Sequence, residues 1–204
     1  MYKYDLSNIE IKIYYENCSE FEEVRGLCLQ ENNWLRNNYT KENLVIGQHT
    51  GYGVVYQKST GNPMLMAGVF HDTRYPSNVA KMVNRLYTFP DFRTNRSNIV
   101  DGFRVADKLI KELMKINSFD IYLVTMQNRP HRGGKRWWDI WCNAMNTASN
   151  NMWTVETGYI QTCPWPVQKC WQNFVYHELL PGKFAEWNPV VINDKEWDNM
   201  PEGV

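Results

Sequence analysis

Between residues 81 and 145 the apolar positions change their period four times. Residues 82–89 read as an extended run stopped by Pro90, and residues 91–98 form a polar loop. From Asp101 onward, Phe103, Ala106, Leu109, Ile110 and Leu113 recur at helical spacing. Residues 121–126 are an unbroken apolar strand, and a basic loop follows them. Gly133 and Gly134 then precede a helix from Lys135 to about Asn146, with Trp137, Ile140, Trp141 and Ala144 on one side. Strand, helix and strand in that order form a crossover whose two strands run parallel. Ligands of parallel strands sit beyond their carboxyl ends. Both ends here open into arginine-rich loops, so an anionic ligand is expected.

The flanks read mainly as antiparallel sheet. Residues 9–15 alternate Ile9, Ile11 and Ile13 with polar positions, a strand pattern. Ser19 and Glu22 form a capping box before a helix carrying Phe21, Val24, Leu27 and Cys28. A hairpin is expected from residues 53–57 and 64–70, because the cluster at 58–63 holds Ser, Gly, Asn and Pro. Two later strands are expected at 153–162 and 173–180, separated by a segment whose Pro164 and Pro166 do not suit a central strand. From Pro181 the apolar residues thin out, and this stretch is expected to wrap the surface or fray.

Composition narrows the function classes. The chain has 204 residues, 43% of them hydrophobic and 14% aromatic, which suits a folded domain with a sizeable core. Lys and Arg total 22 and Asp and Glu total 22, so a general polyanion coat is not expected, while a local basic site is compatible. The five cysteines are odd in number and hold no C-x-x-C pair, so buried reduced thiols are expected and no metal site. The polar start at Met1-Tyr2-Lys3 and the lack of a long apolar run predict a soluble, cytoplasmic protein that does not enter a membrane. Abundant Asn and Tyr point to an AT-rich genome of the kind phages carry, in which case the setting is host cytoplasm.

Arg85-Leu86-Tyr87-Thr88-Phe89-Pro90-Asp91-Phe92-Arg93 resembles the fourth strand and following turn of the GNAT superfamily, the acetyl-CoA-dependent N-acyltransferases. Residues 122–128, ending in Gln127-Asn128, are similar to that family's fifth strand, and Gly158-Tyr159 to the pair that opens its sixth. The resemblance covers most of residues 9–180. It implies an α/β fold: a mixed, mostly antiparallel sheet with a splayed parallel central pair and flanking helices. It implies one domain over 1–204, with its core at about 9–180 and an extension at 181–204. It also implies acyl transfer from acetyl-CoA or another acyl-CoA to an amine, which is either a small molecule or a macromolecule. Leu86, Tyr87 and Asn128 would bond the pantetheine arm, and Arg93, Asn95, Arg96 and Ser97 would meet the phosphates. Where the family usually has a Gly-x-Gly or Gly-x-Ala step, this chain has Thr94 to Asp101 and then Gly102 alone. A phage protein that modifies DNA adenine (the Mom type) is assigned to the same superfamily. A nucleic-acid-modifying enzyme is therefore the second reading, and a non-catalytic binding protein on this fold the third.

The chemical candidates fall into three groups, each with a bland alternative. Arg93 and Arg96 precede a helix start, where unpaired N–H groups and the helix dipole favour anions, although loop arginines are often merely solvated. Arg129, Arg132, Lys135, Arg136 and Trp137 surround the diglycine; they suit phosphate neutralisation and base stacking, or equally a buried tryptophan face with wet cations. For a base, His131 titrates near neutrality, Glu156 and Asp139 are the carboxylate options, and Tyr87 lies on a strand face expected to line the cleft.

Overall fold

The computed structural model describes residues 5–14, 20, 49–70, 75–82, 87–92, 99–115, 119–126, 132–161, 171–193, 195–196 and 199. The chain forms two compact units. Residues 1–73 with 81–118 make the first, and 74–80 with 119–204 the second. The expected helix at residues 19–28 lies outside the described residues, apart from Glu20.

In the first unit β1 (Ile9–Tyr14), β2 (His49–Gln57) and β3 (Pro63–Phe70) form an antiparallel meander. The expected hairpin is present, turning through Gly61 at φ +72°, a left-handed conformation that glycine adopts without strain. Val54 and Val55 are neighbours on opposite faces, and both are fully buried. The sheet is therefore covered on both sides at that point. Helix α1 (Ile99–Met114) lies against β1, β2 and β3. Phe103, Ala106, Leu109, Ile110 and Leu113 are all buried, so the spacing read from the sequence is the packed face. Gly53 makes the close approach possible. A Cβ there would lie 2.5 Å from Leu109 Cδ1 and 2.9 Å from Ile13 Cδ1.

The strand expected at 82–89 is replaced by two shorter pieces, β4 (Val79–Met82) and β5 (Tyr87–Thr88). Both pair antiparallel with β3, in different registers. Met82 faces Val69, whereas Tyr87 faces Met66. The two registers on β3 differ by two residues. With a two-residue slip β4 and β5 do not continue one ladder against β3, and the sequence pattern carries no sign of a register change. Positions 83–86 lie outside the described residues.

The second unit is built on β6 (Ile121–Met126), β8 (Trp171–Glu178), β7 (Thr154–Gln161) and β9 (Val191–Ile192), all antiparallel in that spatial order. The beginning of β4 belongs here. Asn78 C=O accepts from Asp120 N–H at 2.9 Å and from Ile121 N–H at 3.2 Å, and β4 and β6 are sheet neighbours. One core face gathers Tyr75, Val79, Ile121, Leu123, Ile160 and Phe174, with Tyr176, Phe184 and Trp187 packed over it.

Two elements depart from the sequence pattern. Helix α2 runs Arg132–Ser149, so Gly133 and Gly134 are its first turn rather than a loop before it. Its buried positions are Trp138, Cys142, Ala144, Met145 and Ser149, while Ile140 is 40% exposed; the packed face is rotated by about one residue from the expected one. The stretch after Pro181, expected to wrap the surface or fray, takes regular structure over part of its described residues. It makes helix α3 (Lys183–Trp187) and then β9. Glu178, the last residue of β8, accepts from the amides of Gly182 and Phe184 and so caps α3. The Phe184 ring stacks on Tyr176 with centroids 4.0 Å apart. Gly158 admits β9, because a Cβ there would lie 2.5 Å from the Ile192 carbonyl oxygen. Among the described residues no helix is long and apolar enough to cross a membrane.

Candidate functional site

The candidate anion site is assembled at the end of β5. Tyr87 bridges to Met66 and Thr88 to Leu65, and Phe89 N–H donates to the Met64 carbonyl at 3.0 Å. Pro90 then opens a single 3₁₀ turn, Pro90–Phe92, which buries Phe92 and directs the chain towards α1. Pro90 has no N–H to lose and its fixed φ suits the first turn position. Helix α1 starts at Ile99, seven positions after that turn, so Arg93, Asn95, Arg96 and Ser97 form the connection into its N-terminus. These four residues, with Leu86, lie outside the described residues. The amides of the first turn of α1 have no intrahelical acceptor, and the dipole makes that end positive. Asp101 sits in the same turn, but Arg104 Nη1 holds its Oδ1 at 3.0 Å, which offsets the charge.

The second candidate segment lies in the other unit. Asn128, Arg129 and His131 fall outside the described residues. Arg132, Lys135, Arg136 and Trp137 belong to the first turns of α2; Arg132, Lys135 and Arg136 are spaced i, i+3 and i+4 for one helical face, and Trp137 is off it. The first turn of α2 holds no acidic residue. The next turn packs Trp138 into the core with Trp141 stacked on it, centroids 5.2 Å apart and planes 9° apart.

Glu156 is half-buried in β7, inside the irregularity between Val155 and Tyr159 where β7 slips against β8. Its neighbour is Tyr176, whose phenol is pushed up by burial, then by the carboxylates of Glu156 and Glu178, against a hydrogen bond with Thr154. Tyr176 therefore stays neutral at physiological pH. Asp139 is exposed on α2, and Cys142 beside it is buried, with its thiol pushed up to about 12 by burial and the Asp139 charge. Such a thiol is not an acyl carrier at neutral pH.

One residue that sequence reasoning missed is Asn173. It is buried in β8 opposite Met126 and Tyr159, and among the described residues its side-chain N–H₂ has no hydrogen-bond partner. A lone Asn in an apolar run was the available signal, since burying an amide without partners is costly.

No family model matches the sequence, and no curated protein is significantly similar to it. Solved structures do match. The ribosomal-protein-S5-alanine acetyltransferase of Vibrio fischeri is 11% identical, with a TM-score of 0.50 over 85% of this chain and 94% of that one. The chain has the GNAT fold. Other similar structures include a spermidine N-acetyltransferase mutant from Vibrio cholerae, 8% identical with a TM-score of 0.49 over 87% of this chain and 96% of that one. A Bacillus subtilis acetyltransferase in complex with CoA is 10% identical, with a TM-score of 0.45 over 84% and 99%. At these identities the likeness concerns the GNAT fold alone. Within the first unit β5, the 3₁₀ turn and the start of α1 follow one another in chain order.

Proposed function

We propose that the chain moves an acyl group from a coenzyme A thioester to an amine. The observation that carries this reading is the loss of register between β3 and its partner just before Tyr87, immediately upstream of a helix N-terminus. Where a ladder slips by two residues, backbone groups are released from strand pairing. In this reading Leu86, Tyr87 and Asn128 bond the pantetheine arm. Arg93, Asn95, Arg96, Ser97 and the first amides of α1 hold the diphosphate, with the Asp101 charge offset by Arg104.

The chemistry asks three things of the protein. The attacking amine must be neutral, so a base removes its proton; Tyr87, His131 and Glu156 are the groups assigned to that task. The amine nitrogen bonds to the thioester carbonyl carbon as the carbonyl oxygen gains charge, which backbone N–H groups stabilise. Collapse breaks the carbon–sulfur bond, and the departing thiolate takes a proton as free thiol. Calorimetry with coenzyme A, followed by a thiol-release assay with acetyl-CoA and a panel of amines, tests the reading. Binding with amine-dependent thiol release is the expected result. Absence of any coenzyme A binding would remove the proposal.

The start of α2 favours a second reading of the acceptor. Cations at the positive end of a helix are unfavourable by about 0.3–1 kcal/mol each. Three of them, Arg132, Lys135 and Arg136, with no acid in that turn, call for an anion. A nucleic acid acceptor would supply phosphates to these residues and Arg129, and a base to stack on Trp137. In that case Arg132→Glu with Arg136→Glu abolishes salt-sensitive binding to a random duplex or single strand. With a small cationic acceptor the same change leaves turnover unharmed or raises it.

A further inference from the structure

We propose that the outer edge of β1 is a docking site for an extended, glutamate-rich segment of a partner protein, which joins the sheet as an additional strand beneath a row of lysines on α1. The inference rests on three features of the first unit and is independent of the acyl-transfer reading.

The first feature is the free edge. β1 ends the strand order, and among the described residues no strand pairs with its outer side. Lys58 N–H donates to Asn8 C=O at 3.0 Å, so Asn8 turns its backbone towards β2. Backbone direction alternates along an antiparallel pair. Glu10, Lys12 and Tyr14 therefore also face β2, and the N–H and C=O groups of Ile9, Ile11 and Ile13 point outward. This is an unpaired row of donors and acceptors, the template that a sheet edge offers to another chain.

The second feature is the groove beside that edge. A cavity of about 620 Å³ lies along β1, floored by Leu6, Ile9, Ile11 and Ile13. Residues on an added strand that face these isoleucines share their side of the sheet, which is the side covered by α1.

The third feature is charge. The groove is rimmed by Lys58, Lys108, Lys111 and Lys115 with one acid, Glu112. On α1 these positions recur every three or four residues and form one stripe. Lys111 bonds Asp107 at 2.7 Å and Lys115 bonds Glu112 at 2.6 Å. Lys58 and Lys108 donate to neutral carbonyls, those of Ser7 at 3.0 Å and Leu6 at 3.4 Å. Asp107 is buried and holds Lys111, but the Lys115 pair is exposed and within one helix and contributes little, so the ammoniums of Lys58, Lys108 and Lys115 are the ones available to a new carboxylate. A glutamate opposite each isoleucine lays its methylenes on the apolar floor and its carboxylate among the lysines. A second copy of this chain is disfavoured, because edge-to-edge pairing would bring two lysine rows together.

The test uses a labelled, end-capped peptide of about eight residues alternating Glu and Val, long enough to span β1 at roughly 3.3 Å per residue. Its binding to the full chain is followed by fluorescence anisotropy, beside a Lys/Val peptide and a single-stranded oligonucleotide. The Glu/Val peptide should bind, weaken with salt, and slow hydrogen exchange at the amides of Ile9, Ile11 and Ile13. Ile11→Pro removes an outward N–H without touching the β2 ladder and should weaken binding by about threefold to tenfold. Lys108→Glu with Lys58→Glu should weaken it by at least as much. Equal binding of the Glu/Val and Lys/Val peptides overturns the proposal. So does unchanged exchange at those three amides, or an oligonucleotide that binds more tightly than the peptide and ignores Ile11→Pro.

Discussion

Replacing Arg93 and Arg96 together with alanine is expected to weaken coenzyme A binding by about 1.5–3 kcal/mol for each charged hydrogen bond lost. That corresponds to roughly tenfold to a hundredfold per arginine. The expectation follows from where the two residues stand. In the sequence they fall between the 3₁₀ turn at Pro90–Phe92 and the start of α1, whose first amides are unpaired within the helix and favour anions. Titration calorimetry on the double mutant reads the effect, with circular dichroism to establish that the fold is intact. An affinity equal to that of the unaltered protein would make these arginines solvated loop residues and would move the phosphate site elsewhere.

The largest stability loss is expected from Phe174→Ala. Its ring is fully buried at the centre of the second unit's core, stacked with Phe184 at 5.6 Å and Tyr176 at 6.3 Å. Removing a buried aromatic ring costs about 3–5 kcal/mol through lost transfer energy and the cavity left behind. The loss should appear in denaturant unfolding as a lower midpoint for the transition that carries the second unit. A change below about 1 kcal/mol would mean that the aromatic cluster repacks freely, and that the capping of α3 by Glu178 rather than ring packing holds the C-terminal segment in place.

The sequence displayed most of this fold, because most elements bury one clean face. Helix α1 was legible because its apolar positions form a single stripe with charges opposite. Helix α2 was misjudged by one residue because Trp137, Trp138, Ile140, Trp141 and Cys142 leave almost no polar gap from which to choose a face. The strand at 82–89 was drawn as one run because no Gly or Pro interrupts it before Pro90, and the register change between β4 and β5 leaves no mark on composition. The C-terminal segment was left between wrapping the surface and fraying because its anchors are few. Phe184 and Trp187, spaced three apart after Pro181-Gly182, were the visible sign of a short docked helix, but their partners on β8 and Tyr75 are distant in sequence. The anion site was read as a motif, and its Arg93, Asn95, Arg96 and Ser97 lie outside the described residues. The choice among Tyr87, His131 and Glu156 depends on distances that no spacing rule supplies.

The second core draws Tyr75 and Val79 from early in the chain and Phe184 and Trp187 from late in it. The helix and strands of the first unit that are described here all precede residue 115. During synthesis, therefore, the first half can acquire tertiary structure while the last stretch is still inside the ribosomal tunnel. The other half must wait, with its hydrophobic strands uncovered, until residues 184–192 emerge. Nascent chains halted before Lys183 should thus engage holdase chaperones and yield to protease in their later half alone.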